Sequence, residues 1–271
     1  MNFVDFHVHA GKFALLRDDI QGLLTKFPFE PSVDVRQIFS EPAALKTYLQ
    51  GCGVVRAVIL AECGPGTNFS IDSELILEFC SNDPFFVPFG NINPNHHPDP
   101  LAEWHKDHAR GIKGYKFYPA DHDFDPYLDS MMAVYEKCAE AGQPIMYHTG
   151  LTAQRDTEQK YIRPSDYRRL VETFPTLNVV FAHGGKPTWY DEAVEMAERY
   201  PGVYLDTALV PPEVLVDWLR NRPQIHHKVL FGSDLPVSGS YSAVCQRILG
   251  AGLDEQVLRA VLQDNANRLL G

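Results

Sequence analysis

The chain has 271 residues, of which 45% are hydrophobic, and this length fits one α/β barrel of about 250 residues. Its formal net charge of −11 argues against a nucleic-acid partner, which requires a basic surface. No apolar run approaches the roughly 18 residues of a membrane span, and no signal-peptide pattern opens the chain. The five cysteines form no Cys-x-x-Cys pair, which favours reduced thiols and a cytoplasmic location.

Apolar segments that end at glycine, proline or a polar residue alternate along the chain with segments of helical periodicity. The predicted strands are Phe3–Ala10, Val54–Leu60, Phe86–Ile92, Gly114–Pro119, Ile145–Gly150, Val179–Gly185, Val203–Asp206 and Val229–Pro236. The predicted helices are Pro42–Gly51, Ile71–Ser81, Pro100–Ala109, Tyr127–Ala141, Pro164–Phe174, Trp189–Tyr200, one that opens at Pro211-Pro212, Tyr241–Leu249 and Asp254–Leu269.

This alternation predicts a (β/α)8 TIM barrel, since a βαβ unit takes roughly 30 residues. No Ser/Gly-rich linker and no break in composition divides the sequence, so we predict a single domain over residues 1–271. The first strand is followed by an extended loop, Lys12–Ser40. Long βα loops carry specificity in barrels, so the loop is interpreted as a lid or pocket wall; a passive surface loop is equally compatible with its sequence.

The first strand carries His7 and His9 close to the glycine that ends it. Side chains two residues apart on a strand project from the same face, about 6–7 Å apart. Two imidazoles at this spacing can bind one metal ion. A His-x-His pair alone is weak support for a metal site, because the pattern is common by chance.

Later strands place further polar residues at the same kind of position, where an apolar run ends. These residues are Lys116, His148, His183 and Asp234. The carboxyl ends of all strands meet on one face of a closed barrel, which is where barrel active sites lie. Each residue alone could simply be hydrogen-bonded at a strand end, but the whole set favours a site for Zn²⁺ or a similar divalent ion. The remaining histidines are predicted not to be ligands.

Four motifs resemble the signatures of strands 1, 5, 6 and 8 of the amidohydrolase superfamily, most closely its amidohydrolase-2 branch. They are Asp5-Phe6-His7-Val8-His9, Tyr147-His148-Thr149-Gly150, Phe181-Ala182-His183-Gly184-Gly185 and Gly232-Ser233-Asp234-Leu235-Pro236. The resemblance runs nearly end to end. It is specific for the superfamily and says little about the substrate.

The resemblance implies a divalent metal ion held by His7, His9, His148 and Asp234. Asp234 would then accept a proton from water and return it to the leaving group. His183 would stabilise the developing oxyanion or bind a second metal ion. In two-metal members a carboxylated lysine, here Lys116, bridges the ions; other members keep an unmodified lysine on this strand. We favour one ion.

Substrate contacts are less well defined by the sequence. Tyr118 follows the fourth strand near the functional face, and Arg155 in the loop after the fifth strand can bind a carboxylate through two hydrogen bonds; a solvated loop arginine is the simpler alternative. Asp206 is a candidate for orienting a ligand histidine, or for binding neighbouring backbone.

Three functions fit this pattern, and we favour the first. It is a metal-dependent hydrolase that cleaves an amide, a lactone or a related carbonyl bond of a small molecule. The alternative is a non-oxidative decarboxylase of an aromatic or unsaturated acid, which the same branch includes. A barrel that binds metal without turnover is disfavoured, because no ligand position has become apolar. The sequence leaves open whether the chain forms a homo-oligomer.

Overall fold

Eight parallel strands form one sheet in the computed structural model, which describes residues 1–26, 29, 32–64, 69–81, 83–152 and 158–271. They are β1 Phe3–Val8, β2 Val54–Leu60, β3 Phe86–Gly90, β4 Gly114–Phe117, β5 Ile145–Gly150, β6 Val179–Lys186, β7 Val203–Asp206 and β8 Val229–Leu230. Each pairs with the next. The backbone amides of Phe6 and His9 donate to the carbonyls of Phe231 and Leu235, which joins β1 to the residues after β8. The predicted (β/α)8 barrel is confirmed.

Helices alternate with the strands through the described part of the chain. They are α1 Asp18–Leu24, α2 Val35–Ser40, α3 Pro42–Gly51, α4 Ser73–Cys80, α5 Pro100–Arg110, α6 Asp129–Ala141, α7 Arg168–Thr173, α8 Tyr190–Arg199, α9 Pro212–Asn221, α10 Tyr241–Leu249, α11 Glu255–Arg259 and α12 Asn265–Leu270. Within these ranges no helix combines the length and apolar character needed to cross a bilayer.

Three helical segments differ from the sequence prediction. The predicted helix Pro164–Phe174 begins with a 3-10 turn, and a π-helical turn, Ala260–Asp264, separates α11 from α12. The extended loop after β1 contains α1 and α2, which have seven and six residues. Helices this short leave too little periodic pattern to be recognised in the sequence.

The barrel interior is filled by apolar side chains from the strands. Phe6 and Phe89 meet edge to face, with their ring centroids 5.5 Å apart. Ala266 and Leu269 of the C-terminal helix α12 belong to the same buried cluster. The barrel interior is therefore a packed apolar core rather than a pore, and an active site is expected at the carboxyl ends of the strands.

A bulge in β1 decides which of its side chains face the barrel interior. The register between β1 and β2 shifts by one residue between Asp5 and Val8. Before the shift Phe6 belongs to the interior cluster, whereas Val8 packs among the residues between sheet and helices. An extra residue reverses the alternation of side chains. It therefore turns His7 and His9 inward, where unbroken alternation from Phe6 would have placed them outside.

The extended loop contacts the barrel next to the end of β1. Phe13 of the loop packs edge to face on Phe39 of α2, with centroids 5.8 Å apart, and Phe39 stacks on Phe69 at 6.3 Å. Phe69 in turn stacks on the imidazole of His9, with 4.8 Å between centroids and an interplanar angle of 8°. The loop therefore packs against the residue that stacks on His9, and its interpretation as a lid or pocket wall stays a prediction.

Candidate functional site

The predicted metal and catalytic residues converge at the carboxyl end of the barrel. His7, His9, His183 and Asp234 are each at most 6% exposed, and Lys116 is fully buried. His148, on β5, is partly exposed as a residue, but its Nε2 atom is buried. Strands far apart in sequence therefore bring these side chains to one place, as the barrel geometry requires.

Asp234 is the point at which the two histidines of β1 meet. Its Oδ1 atom lies 3.3 Å from His7 Nε2 and 3.3 Å from His9 Nε2. One ligand atom from each of these three residues lies within 4.8 Å of the others. A second group with the same property joins His7 to His183 and Asp206, and the predicted ligand His148 belongs to neither group.

Asp206 orients two of the histidines from the end of β7. Its Oδ2 atom lies 2.6 Å from His7 Nδ1, and its Oδ1 atom accepts a hydrogen bond of 2.7 Å from the backbone amide of His183. A carboxylate only accepts, so His7 donates through Nδ1, and Nε2 is the His7 atom that can bind a metal ion. Asp206 also accepts from the Ala208 amide, so its carboxylate binds an imidazole and neighbouring backbone.

The pKa values of three of the four histidines at the site are lowered, and that of His7 is raised. Burial lowers the pKa of His9, and burial together with the nearby cation of Lys186 lowers the pKa of His148 and His183 well below the usual value. Burial also lowers the pKa of His7, but the carboxylates of Asp206 and Asp234 outweigh it and raise the pKa. A lowered pKa favours the neutral imidazole at His9, His148 and His183, and a neutral imidazole offers the lone pair that a metal ion requires.

His183 adopts a backbone conformation that few residues tolerate, and so does Asp234. Both have a φ of 62°, in the left-handed region that is uncommon for residues other than glycine. The Asp206 carboxylate holds the amide of His183, and the His7 carbonyl accepts the amide of Asp234 at 2.8 Å. Such conformations cluster at functional sites, where the surrounding structure maintains the strain.

Lys116 and Tyr118 lie side by side at the end of β4. The Lys116 ammonium is 5.1 Å from the centroid of the Tyr118 ring, and it has no hydrogen-bond partner among the described residues. Burial lowers the pKa of Lys116 to about 8. The Tyr118 ring is also 6.2 Å from that of His148. The predicted substrate residue Tyr118 thus lies at the site, whereas Arg155 falls outside the residues that the structure describes.

The donor set fits a divalent metal ion. Two imidazole nitrogens and a carboxylate oxygen converge, and the buried Nε2 atom of His148 has no hydrogen-bond partner among the described residues. Buried polar atoms normally have a partner. Imidazole and carboxylate donors suit Zn²⁺, and carboxylates also suit Mn²⁺.

The sequence interpretation missed two residues at this site, Asp5 and Lys186. The bulge in β1 moves Asp5 off the face that carries the histidines, so its role depends on strand pairing. Gly184 and Gly185, both at positive φ, interrupt the alternation before Lys186 and hide which way it points. The available signal for Lys186 was its position as a charged residue between His183 and the next proline.

Asp5 joins the two segments that carry the ligand residues. Its Oδ1 atom accepts hydrogen bonds of 3.0 Å from the backbone amides of His7 and Ser233. The Ser233 hydroxyl donates to the His7 carbonyl at 3.3 Å. One buried carboxyl group therefore fixes the distance between β1 and the segment that carries Asp234.

Replacing Asp5 with alanine is expected to destabilise the fold and weaken metal binding. Two buried amides would lose their acceptor, at a cost of about 1–3 kcal/mol each. Asp5→Asn keeps an accepting oxygen, so its stability and its metal affinity should be close to those of the wild type. Thermal unfolding and metal titration of both variants check this. Equal behaviour of the two variants would show that Asp5 does not act through these hydrogen bonds.

A known protein family matches nearly the whole sequence. Residues 4–271 match the family model described as Amidohydrolase. The dihydroorotase of Shewanella sediminis is 34% identical over 84 residues, which are 28% of this chain and 24% of that protein. The alignment thus spans less than a third of either chain.

Solved structures of low sequence identity share the fold over its full length. An uncharacterized TIM-barrel protein from Bordetella bronchiseptica superposes with a TM-score of 0.83 at 21% identity, covering 100% of this chain and 98% of that chain. A 5-carboxyvanillate decarboxylase from Novosphingobium aromaticivorans, complexed with manganese and a nitrobenzoic acid, superposes with a TM-score of 0.71 at 13% sequence identity. The superposition covers 99% of this chain and 96% of that chain. A probable 2-pyrone-4,6-dicarboxylic acid hydrolase from Acinetobacter baumannii gives 0.66 at 12%, covering 100% of both chains.

Proposed function

Because the chain belongs to the amidohydrolase family, a family of enzymes that includes hydrolases and decarboxylases, we propose that it is a metal-dependent hydrolase. Its substrate would be an amide, a lactone or a related carbonyl compound of low molecular weight. The observation that carries this proposal is the approach of His7 Nε2 and His9 Nε2 to the same Asp234 oxygen, each at 3.3 Å.

In this proposal His7, His9, His148 and Asp234 hold one divalent ion. When bound, such an ion lowers the pKa of water toward about 7 and polarises a carbonyl group. Lys116 keeps its amine, and its buried charge acts on the acidic residues and on the substrate. Carboxylated Lys116 with two ions is the competing version.

Asp234 is placed to move protons in the reaction. Burial alone would raise the pKa of Asp234, but the imidazoles of His7 and His9 hold it well below the usual value, so the group is ionised. An ionised carboxylate can take a proton from an attacking water and transfer it to the leaving group.

His183 presents a proton acceptor to the same centre. Its Nδ1 lies 3.1 Å from the carbonyl oxygen of Ala208, and a carbonyl only accepts, so this nitrogen carries the proton. In the neutral ring Nε2 therefore has a free lone pair. We propose that His183 acts as a proton carrier, which becomes a hydrogen-bond donor to an oxyanion only after it has taken up a proton.

The test is a substrate panel run on protein stripped of metal with a chelator and reloaded with Zn²⁺ or Mn²⁺. We expect cleavage of a cyclic amide or a lactone that depends on the added ion. Hydroxybenzoates belong in the panel because a decarboxylase would release CO₂ from them. CO₂ release without hydrolysis would replace the proposal with the decarboxylase alternative. A chain that retains no metal would exclude both.

A further inference from the structure

Lys186 is the last residue of β6 and lies three residues beyond His183. Its carbonyl accepts the Leu151 amide at 2.8 Å, and the residue pairs with Gly150 at the end of β5. These contacts fix the Lys186 backbone at the rim of the barrel. The residue as a whole is only partly exposed.

The carboxylates of Asp234, Asp206 and Asp121 act on the charge of the Lys186 ammonium group without bonding to it. No carboxylate or carbonyl of the described residues forms an ion pair or hydrogen bond with it. Its charge nevertheless acts on His148 and His183, and the carboxylates of Asp206 and Asp234 act on it in return. Lys186 thus ends the strand that carries His183 and pairs with the end of the strand that carries His148.

Lys116 supplies a second positive charge without a partner. Its Nζ atom is buried, and it lies within electrostatic range of Lys186. Two neighbouring cations repel each other, and burial raises the cost of each charge. An anion bound between them would relieve both effects. Each of the two ammonium groups has three hydrogen-bond donors for such an anion.

We propose that Lys186 and Lys116 form a subsite for a carboxylate of the substrate that is separate from the reacting carbonyl group. The substrate class then narrows to amides or lactones that carry at least one carboxylate. This inference rests on the proposed function, because the proposed function places the reacting carbonyl group of the substrate beside His183 and Asp234. It gives Lys186 the task of positioning the substrate rather than of moving protons.

Calorimetric titration of the metal-loaded protein tests the subsite with two probes, isophthalate and benzoate. Both offer one carboxylate to the metal centre, and only isophthalate offers a second. We expect the wild type to bind isophthalate about tenfold more tightly than benzoate, as a charge-assisted hydrogen bond allows. Lys186→Met keeps the stem and removes the charge, so this preference should disappear while benzoate affinity stays the same.

Lys113→Met is the matched control, because Lys113 is exposed and precedes β4. It should bind both probes like the wild type. A Lys186→Met protein that retains the preference would overturn the subsite, and so would a wild type without one. If Lys186→Met and Lys186→Gln both failed to fold, the wild-type comparison alone would decide.

Metal content measured on the same samples separates this inference from the proposed function. A wild type that binds no metal refutes the proposed function. A fully loaded wild type that binds isophthalate and benzoate equally refutes only the subsite.

Discussion

Replacing His7 with alanine is expected to abolish metal binding. The variant loses the Nε2 atom that lies 3.3 Å from Asp234, and it leaves Asp206 without the imidazole that its Oδ2 atom contacts. The loss of affinity should exceed the roughly 10–100-fold that changes to the outer partners of a ligand cost. Elemental analysis and competition with a chromophoric chelator measure it, and the wild type should hold about one ion per chain.

His105→Ala is the control for this experiment, because His105 is exposed on α5. It should keep the wild-type metal content. A His7→Ala protein with wild-type affinity would remove His7 from the ligand set. Two ions per chain, together with the added mass of a carboxylated Lys116, would contradict the one-ion proposal.

Replacing His183 with asparagine is expected to leave the metal in place and to lower turnover by about 10²–10⁴-fold, the usual contribution of a proton-transferring side chain. Asparagine tolerates the positive φ of this position better than most residues. Its amide can donate to the Ala208 carbonyl, as His183 Nδ1 does. The variant therefore removes the Nε2 lone pair with little change to the backbone.

Metal content and kcat of the His183→Asn protein check this prediction together. Metal loss equal to that of His7→Ala would mean that His183 is a ligand, as the two-metal version requires. Full metal content with full turnover would mean that His183 takes no part in proton transfer.

Several elements were predictable because their limits are set by local residues. The structure has β2 at Val54–Leu60, α3 at Pro42–Gly51 and α10 at Tyr241–Leu249, the ranges that the sequence predicts. Proline at the first turn and glycine at the end mark α3, and an apolar run interrupted only by Arg56 marks β2. The last strand was less predictable. β8 ends at Leu230, and the residues after it are joined to the first strand region only by separate backbone hydrogen bonds.

The sequence by itself determined the alternation of strands and helices, and with it the ligand-type residues that the strand ends would carry. Only the tertiary structure decided which atoms meet. The bulge that turns His7 inward depends on pairing with β2, and Asp206 reaches His7 across 199 residues. The direction of Lys186 depends on the glycines before it. Register and barrel closure set these distances, and both arise from contacts between strands that no local pattern encodes.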